Sequence, residues 1–225
     1  MQTVIAFDVY GTLVDPLGIA GQLKSLVGDQ AGRFAELWRT KQLEYSFRRA
    51  LMGAYRPFSV CTWEALLYTE EYLGLILPHQ SRATLMELYK DLQPFADAAP
   101  GLESLKGNGY CVVALSNGET AVLRQVLQSA RLLSFFDDVI SADEVRTFKP
   151  DPVIYRHALQ RLGQAGDNTW LVSSNPFDVI GAKTAGLRAA WVKRNRIVFD
   201  PWGVEPDLVL ASLEQLAPLL AEQGS

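Results

Sequence analysis

The chain has few of the features that commit a sequence to a membrane, a nucleic acid or a disulfide-stabilised fold. Its 225 residues include only two cysteines, which are too few for a disulfide framework and have no zinc-ligand spacing. Its 21 basic residues are outnumbered by 25 acidic ones, and a net charge of −4 argues against a protein that follows a nucleic-acid backbone. No apolar run reaches membrane-spanning length, and the N-terminus begins with a strand-like pattern rather than a signal peptide. We therefore expect a soluble, cytoplasmic protein with no nucleic-acid or membrane partner.

Short apolar runs alternate with amphipathic helical segments along most of the chain. The predicted strands are Val4–Phe7, Cys111–Leu115, Trp170–Val172 and Ala189–Val192, with weaker candidates at Asp138–Ile140 and Asp207–Leu210. The predicted helices are Gly101–Asn108, Thr120–Leu132, Val153–Leu162, Asp178–Ala185 and Leu213–Ala221. Strands that alternate with helices predict a parallel sheet covered on both faces, so we expect an α/β fold with a Rossmann-like core.

One long segment, residues 16–94, breaks this alternation because it contains helical patterns and no convincing strand. Its clearest helices are predicted at Gln30–Leu51, Thr62–Leu73 and Gln80–Tyr89. An all-helical block inserted after the first strand is typical of a cap. We therefore predict an inserted helical cap domain at residues 16–94 and a core made of residues 1–15 and 95–225.

Polar residues follow each predicted strand at the point where its apolar run stops. They are Asp8, Tyr10 and Thr12 after the first strand, Ser116 and Asn117 after the second, Lys149 and Tyr155 after the weak third, and Ser173, Asn175 and Asp178 after the fourth. Ligands of open parallel sheets bind outside the carboxyl ends of the strands, so these side chains are expected to share one site. Helix caps are also expected at Asp151 and Asn175, each of which precedes a proline, and at Ser116-Asn117.

The predicted helix Gln30–Leu51 carries Arg39 on the same stripe as Leu43, Phe47 and Ala50. An arginine on an apolar stripe is costly unless an anion accompanies it. Either a nearby acidic side chain supplies that anion, which makes the arginine structural, or a bound ligand does.

Four segments occur in the order of the motifs of the haloacid dehalogenase superfamily: AFDVYGTLVD (Ala6–Asp15), ALSNG, FKPDPVIY and VSSNPFD. Within that superfamily the chain resembles the L-2-haloacid dehalogenases rather than the phosphatases. The phosphatases have a second acid in the first motif and a magnesium-binding acid in the fourth, where this chain has Tyr10 and Ser174. A halide leaving group needs no proton, so the second acid of the first motif is dispensable for dehalogenation.

This resemblance implies hydrolysis of (S)-2-haloacids to (R)-2-hydroxy acids and halide by a homodimer, with an aspartyl ester intermediate and with neither a metal nor a cofactor. The catalytic residues it implies are Asp8, Thr12, Lys149, Tyr155, Ser173, Asn175 and Asp178. The substrate contacts it implies are Val9, Tyr10, Arg39, Leu43, Phe58, Ser116, Asn117 and Phe177. The chain departs from the pattern at Thr40 and Phe177, where family members have glutamine and tryptophan, so the preferred haloacid is left open.

Each implied role is specific enough to compare with a structure. Asp8 is the nucleophile, Lys149 keeps it ionised, and Thr12 and Ser173 orient it by hydrogen bonds. Tyr155 is expected to hold either Lys149 or the neighbourhood of Arg39. The hydrolytic water is assigned to Asn175 or Asp178, and the halide is assigned to Arg39.

Two other functions are compatible with the residues. One is a magnesium-dependent small-molecule phosphatase of the same superfamily, and the other is a binding module that kept the fold without turnover. The presence of Ser116, Lys149 and Asp178 together counts against the binding module, because binding alone does not need all three. An aromatic surface around Trp63, Tyr68 and Tyr72 is a candidate for a twofold dimer contact.

Overall fold

The computed structural model describes residues 2–194 and 197–223, and its core is a six-stranded sheet. The strands are β1 (Val4–Phe7), β2 (Cys111–Ser116), β3 (Asp138–Ser141), β4 (Thr169–Ser173), β5 (Arg188–Val192) and β6 (Leu208–Leu210). All neighbouring strands are parallel, and their order is β3-β2-β1-β4-β5-β6. The predicted α/β fold is confirmed. The chain winds outward from β1 in both directions, which makes the carboxyl end of β1 the switch point where such sheets bind ligands.

Strand β1 is the buried centre of this sheet. Phe7 lies opposite Ala114 of β2 on one side and Val172 of β4 on the other. The next residue continues the ladder, because the backbone N–H of Asp8 donates to the carbonyl of Val172 at 3.0 Å. The two parallel neighbours of β1 therefore fix the backbone position of Asp8 independently of its side-chain contacts.

Nine α-helices accompany the sheet in the described part of the chain. They are α1 (Ala20–Val27), α2 (Ala31–Leu51), α3 (Phe58–Tyr72), α4 (His79–Leu88), α5 (Ala98–Gly107), α6 (Thr120–Ser129), α7 (Pro152–Leu162), α8 (Pro176–Thr184) and α9 (Leu216–Gln223). Helix α1 was absent from the prediction. The helix predicted at Leu213–Ala221 is divided into a 3-10 turn at Leu213–Gln215 and α9.

The first four helices occupy the segment between β1 and α5, which contains no strand in residues 20–88. The two chain segments that connect them to the sheet run side by side. The N–H of Asp15 donates to the carbonyl of Gln93 at 2.9 Å, and the N–H of Phe95 donates to the carbonyl of Leu13 at 2.9 Å. We refer to α1–α4 as the inserted helices.

The inserted helices cover one end of the sheet and are tied to it by side chains. Tyr55 donates to Asp143 at 2.5 Å, and the hydroxyl of Ser59 donates to Glu119 at 2.5 Å. Ile5 and Phe7 of β1 belong to the large apolar core that also includes the inserted helices, whereas Val4 and Ala6 face a second core beneath α7. Within residues 2–194 and 197–223, no helix combines the length and the apolar character that a bilayer crossing requires.

Candidate active site

Asp8 lies at the carboxyl end of β1 and is 6% exposed. Three donors reach its carboxylate. The Thr12 hydroxyl (2.9 Å) and the Asn175 amide (2.8 Å) donate to Oδ2, and the Lys149 ammonium donates to Oδ1 at 3.2 Å. The structure thus brings together residues that were predicted to meet from three separate strand ends. Both carboxylate oxygens are oriented, as a nucleophile in a buried site requires.

The loop after Asp8 turns the chain back on itself. Gly11 has a φ of +90°, a conformation that residues with a side chain rarely adopt, and the N–H of Leu13 donates to the carbonyl of Val9 at 2.9 Å. This turn places the Thr12 side chain beside the carboxylate of Asp8, four residues earlier in the chain.

Lys149 bridges two carboxylates. Its ammonium lies 3.2 Å from Asp8 Oδ1 and 2.8 Å from Asp178 Oδ2, and all three side chains are buried. Burial acts to lower the pKa of Lys149, but the charges of Asp178 and Asp8 outweigh it and hold that pKa above its ordinary value. Burial raises the pKa of Asp178, and the neighbouring charge of Asp8 adds to this effect while Lys149 opposes it. The site therefore contains a charged ammonium and a second carboxyl group with an increased affinity for a proton.

Tyr155 contacts Asp178, so the prediction that it holds Lys149 or Arg39 is wrong. Its hydroxyl donates to Asp178 Oδ1 at 2.8 Å and to the Asp178 carbonyl at 3.2 Å. Burial raises the pKa of Tyr155 well above its ordinary value, and the charge of Asp178 adds to that, so the phenol stays a neutral donor. A glycine at 181 makes this approach possible, because a Cβ there would lie 2.6 Å from the Tyr155 hydroxyl.

Two hydrogen bonds expected in the fourth motif are replaced by others. The Ser173 hydroxyl accepts from the backbone N–H of Asn175 at 3.1 Å, and Asp8 receives its hydrogen bonds from other residues, so Ser173 orients Asn175 rather than Asp8. The Asn175 side chain does not cap α8. It donates instead to Asp8 and, at 3.2 Å, to the carbonyl of Tyr10. By contrast, the predicted cap at Asp151 is confirmed, with the Val153 N–H donating to its carboxylate at 2.9 Å.

Ser116 is the last residue of β2, beside Asp8, and Asn117 follows it. The helix cap expected at these two residues is not formed, because α6 begins after Glu119 and has no side-chain cap. The oxygen of the Asn117 side chain accepts from the backbone N–H of Lys149 at 2.8 Å, which leaves the amide nitrogen to donate elsewhere. The Ser116 hydroxyl is buried and has no hydrogen-bond partner within the described residues. A buried hydroxyl without a partner is costly and points to a ligand that completes it.

Arg39 reaches the site from helix α2. Its guanidinium donates to the Gln42 side chain at 2.6 Å and to the carbonyl of Tyr10 at 3.3 Å. Among residues 2–194 and 197–223 it forms no ion pair with a carboxylate, so the structural salt bridge considered from the sequence is not found. A half-buried cation beside Tyr10, without an acidic partner in that part of the chain, is suited to a small anion.

The apolar residues among the predicted substrate contacts form one wall of the site, but only in part. The ring of Tyr10 lies 5.9 Å from the ring of Phe58, and both side chains are buried. Val9 is also buried, and Leu43 is half-buried one turn after Arg39 on α2. Phe177 instead packs edge-to-face on Phe47, a residue not assigned to the site, with 5.0 Å between ring centroids.

Four residues near the site were missed. Tyr89 packs on Tyr10 (6.1 Å between centroids) and donates to Gln42, which positions Arg39. The backbone N–H of Ser174 donates to the Thr12 hydroxyl at 2.9 Å, and Arg194 donates to the Thr12 carbonyl at 2.8 Å. Gln42 could have been found from its spacing, as a polar residue three positions after Arg39 on a buried face, whereas no pattern in the sequence indicates Arg194.

These contacts define a class of protein: a hydrolase on an α/β sheet whose nucleophile is a carboxylate, supported by a lysine and a second acid. A carboxylate nucleophile forms an ester with its substrate, and a later hydrolysis must release it.

Comparison with known proteins specifies this class further. The family model of the haloacid dehalogenase-like hydrolases matches residues 2–186. A (S)-2-haloacid dehalogenase of Pseudomonas sp. strain YL is 37% identical over 96% of this chain and 93% of its own. A haloacetate dehalogenase, H-2 of Moraxella sp. strain B, is 35% identical over 96% of this chain and 97% of its own. The structure of the L-2-haloacid dehalogenase of Xanthobacter autotrophicus with chloropropionic acid covalently bound superposes with a TM-score of 0.93, at 34% identity, over 98% of this chain and 99% of that one. The chain belongs to the L-2-haloacid dehalogenase family of the haloacid dehalogenase-like hydrolases.

Proposed function

We infer that the protein hydrolyses the carbon–halogen bond of (S)-2-haloacids and releases an (R)-2-hydroxy acid and a halide ion. The observation that carries this inference is the buried Asp8 carboxylate, held by Lys149 at the switch point of the sheet. Relatives that share nearly the whole chain are (S)-2-haloacid dehalogenases, and 2-chloropropionate and haloacetates are therefore the expected substrates.

In the first step an oxygen of Asp8 attacks C2 of the substrate from the side opposite the halogen. A C–O bond forms, the C–halogen bond breaks, and the halide leaves with the bonding electron pair. Attack from the opposite side inverts C2, so an (S)-haloacid gives an (R)-product. Thr12, Asn175 and Lys149 hold the two carboxylate oxygens, and this orientation reduces the entropy cost of reaching the reactive geometry.

The substrate carboxylate and the departing halide are assigned to different donors. The Ser116 hydroxyl, the Asn117 amide nitrogen and the backbone after Asp8 bind the substrate carboxylate, an assignment supported by the unpaired state of Ser116. Arg39 stabilises the halide as negative charge develops on it. The apolar wall of Tyr10, Leu43 and Phe58 excludes water from the first step and strengthens these electrostatic interactions.

In the second step water attacks the carbonyl carbon of the Asp8 ester. Asp178 accepts the proton of that water, because burial raises its pKa and an amide cannot act as a base. Asn175 orients the water, and Tyr155 fixes Asp178. The ester C–O bond then breaks on the Asp8 side, and the departing alkoxide, whose oxygen came from Asp8, takes the proton that Asp178 accepted and leaves as the hydroxy acid. The second proton of the water is released to solvent, and the Asp8 carboxylate is restored with an oxygen from water.

We further propose that residues 16–94 act as the cap that closes over bound substrate. The hydrogen bonds of Tyr55 to Asp143 and of Ser59 to Glu119 support this role, since both join the inserted helices to loops of the sheet. Arg39 and Phe58, which face Tyr10 of the sheet domain, come from the same segment.

The alternative function, a magnesium-dependent phosphatase, is disfavoured by the relatives and by the charges in the site. An ammonium already bridges Asp8 and Asp178, and the positions of the two further phosphatase acids hold Tyr10 and Ser174. Chelation by EDTA distinguishes the two reactions, because halide release should persist and phosphatase activity should vanish.

A single turnover in ¹⁸O-labelled water tests the covalent route. Label should enter Asp8 and be absent from the hydroxy acid formed in that turnover, because the product oxygen comes from the carboxylate. The variant Asp8→Asn, checked for native circular dichroism, should release no halide above background. Label in the first-turnover product, or undiminished halide release by Asp8→Asn, would refute the mechanism.

Two further properties belong to this proposal. We propose a homodimer that uses the exposed aromatic face of α3, where Tyr68 stacks on Tyr72 and Tyr72 is 58% exposed. Sedimentation velocity of the wild type and of Tyr72→Lys tests this, and a monomeric wild type would refute it. We also propose a cytoplasmic location, which is supported by two free cysteines, Cys61 and Cys111.

A further inference from the structure

A fully buried amide lies next to the proposed halide site. Gln42 stands on α2, three residues after Arg39, and it is 0% exposed. The other buried residues of α2 are apolar apart from Ser46. An amide in such surroundings destabilises the fold unless all of its hydrogen-bonding groups have partners, so the partners of Gln42 show what it contributes.

The partners of the Gln42 side chain come from α2, from α3 and from the end of α4. Its oxygen Oε1 accepts from the Arg39 guanidinium at 2.6 Å and from the Tyr89 hydroxyl at 3.0 Å. Its nitrogen Nε2 donates to the Thr62 hydroxyl at 2.6 Å, and that hydroxyl donates in turn to the carbonyl of Phe58 at 2.9 Å. One amide therefore connects three of the inserted helices behind Arg39.

These hydrogen bonds fix the orientation of the amide. The Thr62 hydroxyl gives its only proton to Phe58, so it can only accept from Gln42, and the amide nitrogen must face it. The amide oxygen is then directed to Arg39, a side chain that has donors and no acceptor. The network thus has one allowed orientation, in which the guanidinium always meets an oxygen.

That oxygen carries no net charge, and the same is true of the other acceptor of Arg39 in the described part of the chain, the carbonyl of Tyr10 at 3.3 Å. Burial raises the pKa of Tyr89 although the charge of Arg39 opposes this effect, so the neighbouring phenol is neutral as well. A carboxylate at position 42 could make the same contact, but it would neutralise the cation. An amide holds the guanidinium in place and leaves its positive charge for a bound anion.

We propose that Gln42 is a positioning residue for the departing halide: it fixes the Arg39 guanidinium through a neutral acceptor, so that the whole of that charge acts on the leaving group. Chloride is a smaller ion and a poorer leaving group than bromide, so its departure depends more strongly on a nearby cation. Discrimination between the two halides is therefore set in part by Gln42, which acts only through Arg39. This inference rests on the proposed function and adds a residue to its first step.

The test compares first-turnover halide release from (S)-2-chloropropionate and (S)-2-bromopropionate by rapid quench. Gln42→Glu gives Arg39 a carboxylate partner and should slow chloride release about 100-fold and bromide release about tenfold. The bromide-to-chloride ratio of the two rates should then rise about tenfold. Gln80→Glu is the matched control, because it adds the same charge at an exposed position of α4, and it should leave the ratio unchanged.

A second pair of variants keeps the proposal testable if Gln42→Glu does not fold. Thr62→Val removes the hydroxyl that fixes the amide, so the amide nitrogen can turn toward Arg39, and the bromide-to-chloride ratio should rise about threefold. Thr62→Ser keeps the hydroxyl and should keep the wild-type ratio. If the network were only structural, Gln42→Glu and Thr62→Val would lower the melting temperature and slow both acids equally, and that result would overturn the proposal.

Binding of bromide to the resting enzyme, measured by calorimetry, separates this inference from the proposed function. If the wild type released no halide from either acid, the proposed function would fail. Bromide binding that is lost in Gln42→Glu and kept in Gln80→Glu would then still support the role of Gln42. In that case, an absence of any difference between these two variants would overturn it.

Discussion

Asn175 donates a hydrogen bond of 2.8 Å to the carboxylate of Asp8, although it stands at the N-terminus of α8, where an asparagine commonly caps its own helix. The helix is left without a side-chain cap, and the nucleophile gains a neutral donor that comes from the next strand of the sheet. Because that donor is an amide and not an acid, it orients Asp8 without adding negative charge to a pair of carboxylates that already share one ammonium.

We therefore predict that Asn175→Asp reduces first-turnover halide release by at least 100-fold, a loss of about 3 kcal/mol of transition-state stabilisation. A third carboxylate next to Asp8 repels it and removes a donor at the same time. Rapid-quench measurement of halide gives the result directly. Asn175→Ala is the control, because it removes the donor alone. An aspartate variant as fast as the alanine variant would contradict the electrostatic argument.

Replacing Lys149 by methionine should lower the free energy of unfolding by about 3–5 kcal/mol, because it leaves two buried carboxylates without a counter-charge. The double variant Lys149→Met with Asp178→Asn should recover part of this loss, since one of the unpaired charges is gone. Urea unfolding of the wild type, both single variants and the double variant measures the coupling. Strict additivity of the two single changes would show that the ion pair is not the cause.

Activity and stability should both decline on the alkaline side in a window set by Lys149. Its pKa is raised above 10.5 in the folded chain, where Asp178 and Asp8 outweigh the opposing effect of burial. The folded state thus holds this proton more tightly than the unfolded state. The stabilisation it contributes is complete below pH 10.5 and is lost as pH rises through the folded-state pKa. Wild-type kcat/KM should therefore remain level up to about pH 10. Thermal unfolding of Lys149→Met should show a shallower decline above that pH than the wild type shows.

Arg194 is predicted to support both the nucleophile loop and the segment that returns from the inserted helices to the sheet. It donates to the Thr12 carbonyl at 2.8 Å, pairs with Asp97 at 2.8 Å and lies 4.1 Å from the ring centroid of Phe95. Arg194→Met should destabilise the protein by about 2–4 kcal/mol by leaving Asp97 partly buried and unpaired. It should also lower kcat more than it changes KM, because Thr12 orients Asp8. Arg194→Lys keeps the charge and should restore part of the stability but less of kcat, since an ammonium cannot match the planar fork. An effect on stability alone would limit Arg194 to a structural role.

The sequence was sufficient to predict the sheet and most of the cluster around Asp8, because each strand can be recognised from its own residues. Each strand is a short apolar run that ends in a polar residue, and parallel strands bring those ends to one edge, so Asp8, Lys149 and Asp178 were expected to meet. Burial on both faces makes such strands easy to recognise.

The hydrogen-bond partners within the cluster were less predictable, because each polar side chain has several donors or acceptors within reach. The Asn175 side chain could have capped its own helix instead of donating to Asp8. Tyr155 reaches Asp178 through the space that Gly181 leaves. Helix α1 was missed because Gly18 lies just before its start and Gly21 lies in its first turn, and glycine weakens a helical pattern. Arg194 meets Thr12 from 182 positions away, a contact that no sequence spacing encodes.

The paired segments at residues 13–15 and 93–95 mean that the chain leaves the sheet and returns to it at nearly the same point. The whole of α1–α4 is thus a cassette with adjacent ends, and a short turn between Val14 and Pro94 would close the chain without displacing β1 or β2. Under the proposed function, Arg39, Leu43 and Phe58 all belong to this cassette, so we expect that grafting a different helical block onto the unchanged sheet would alter the substrate range.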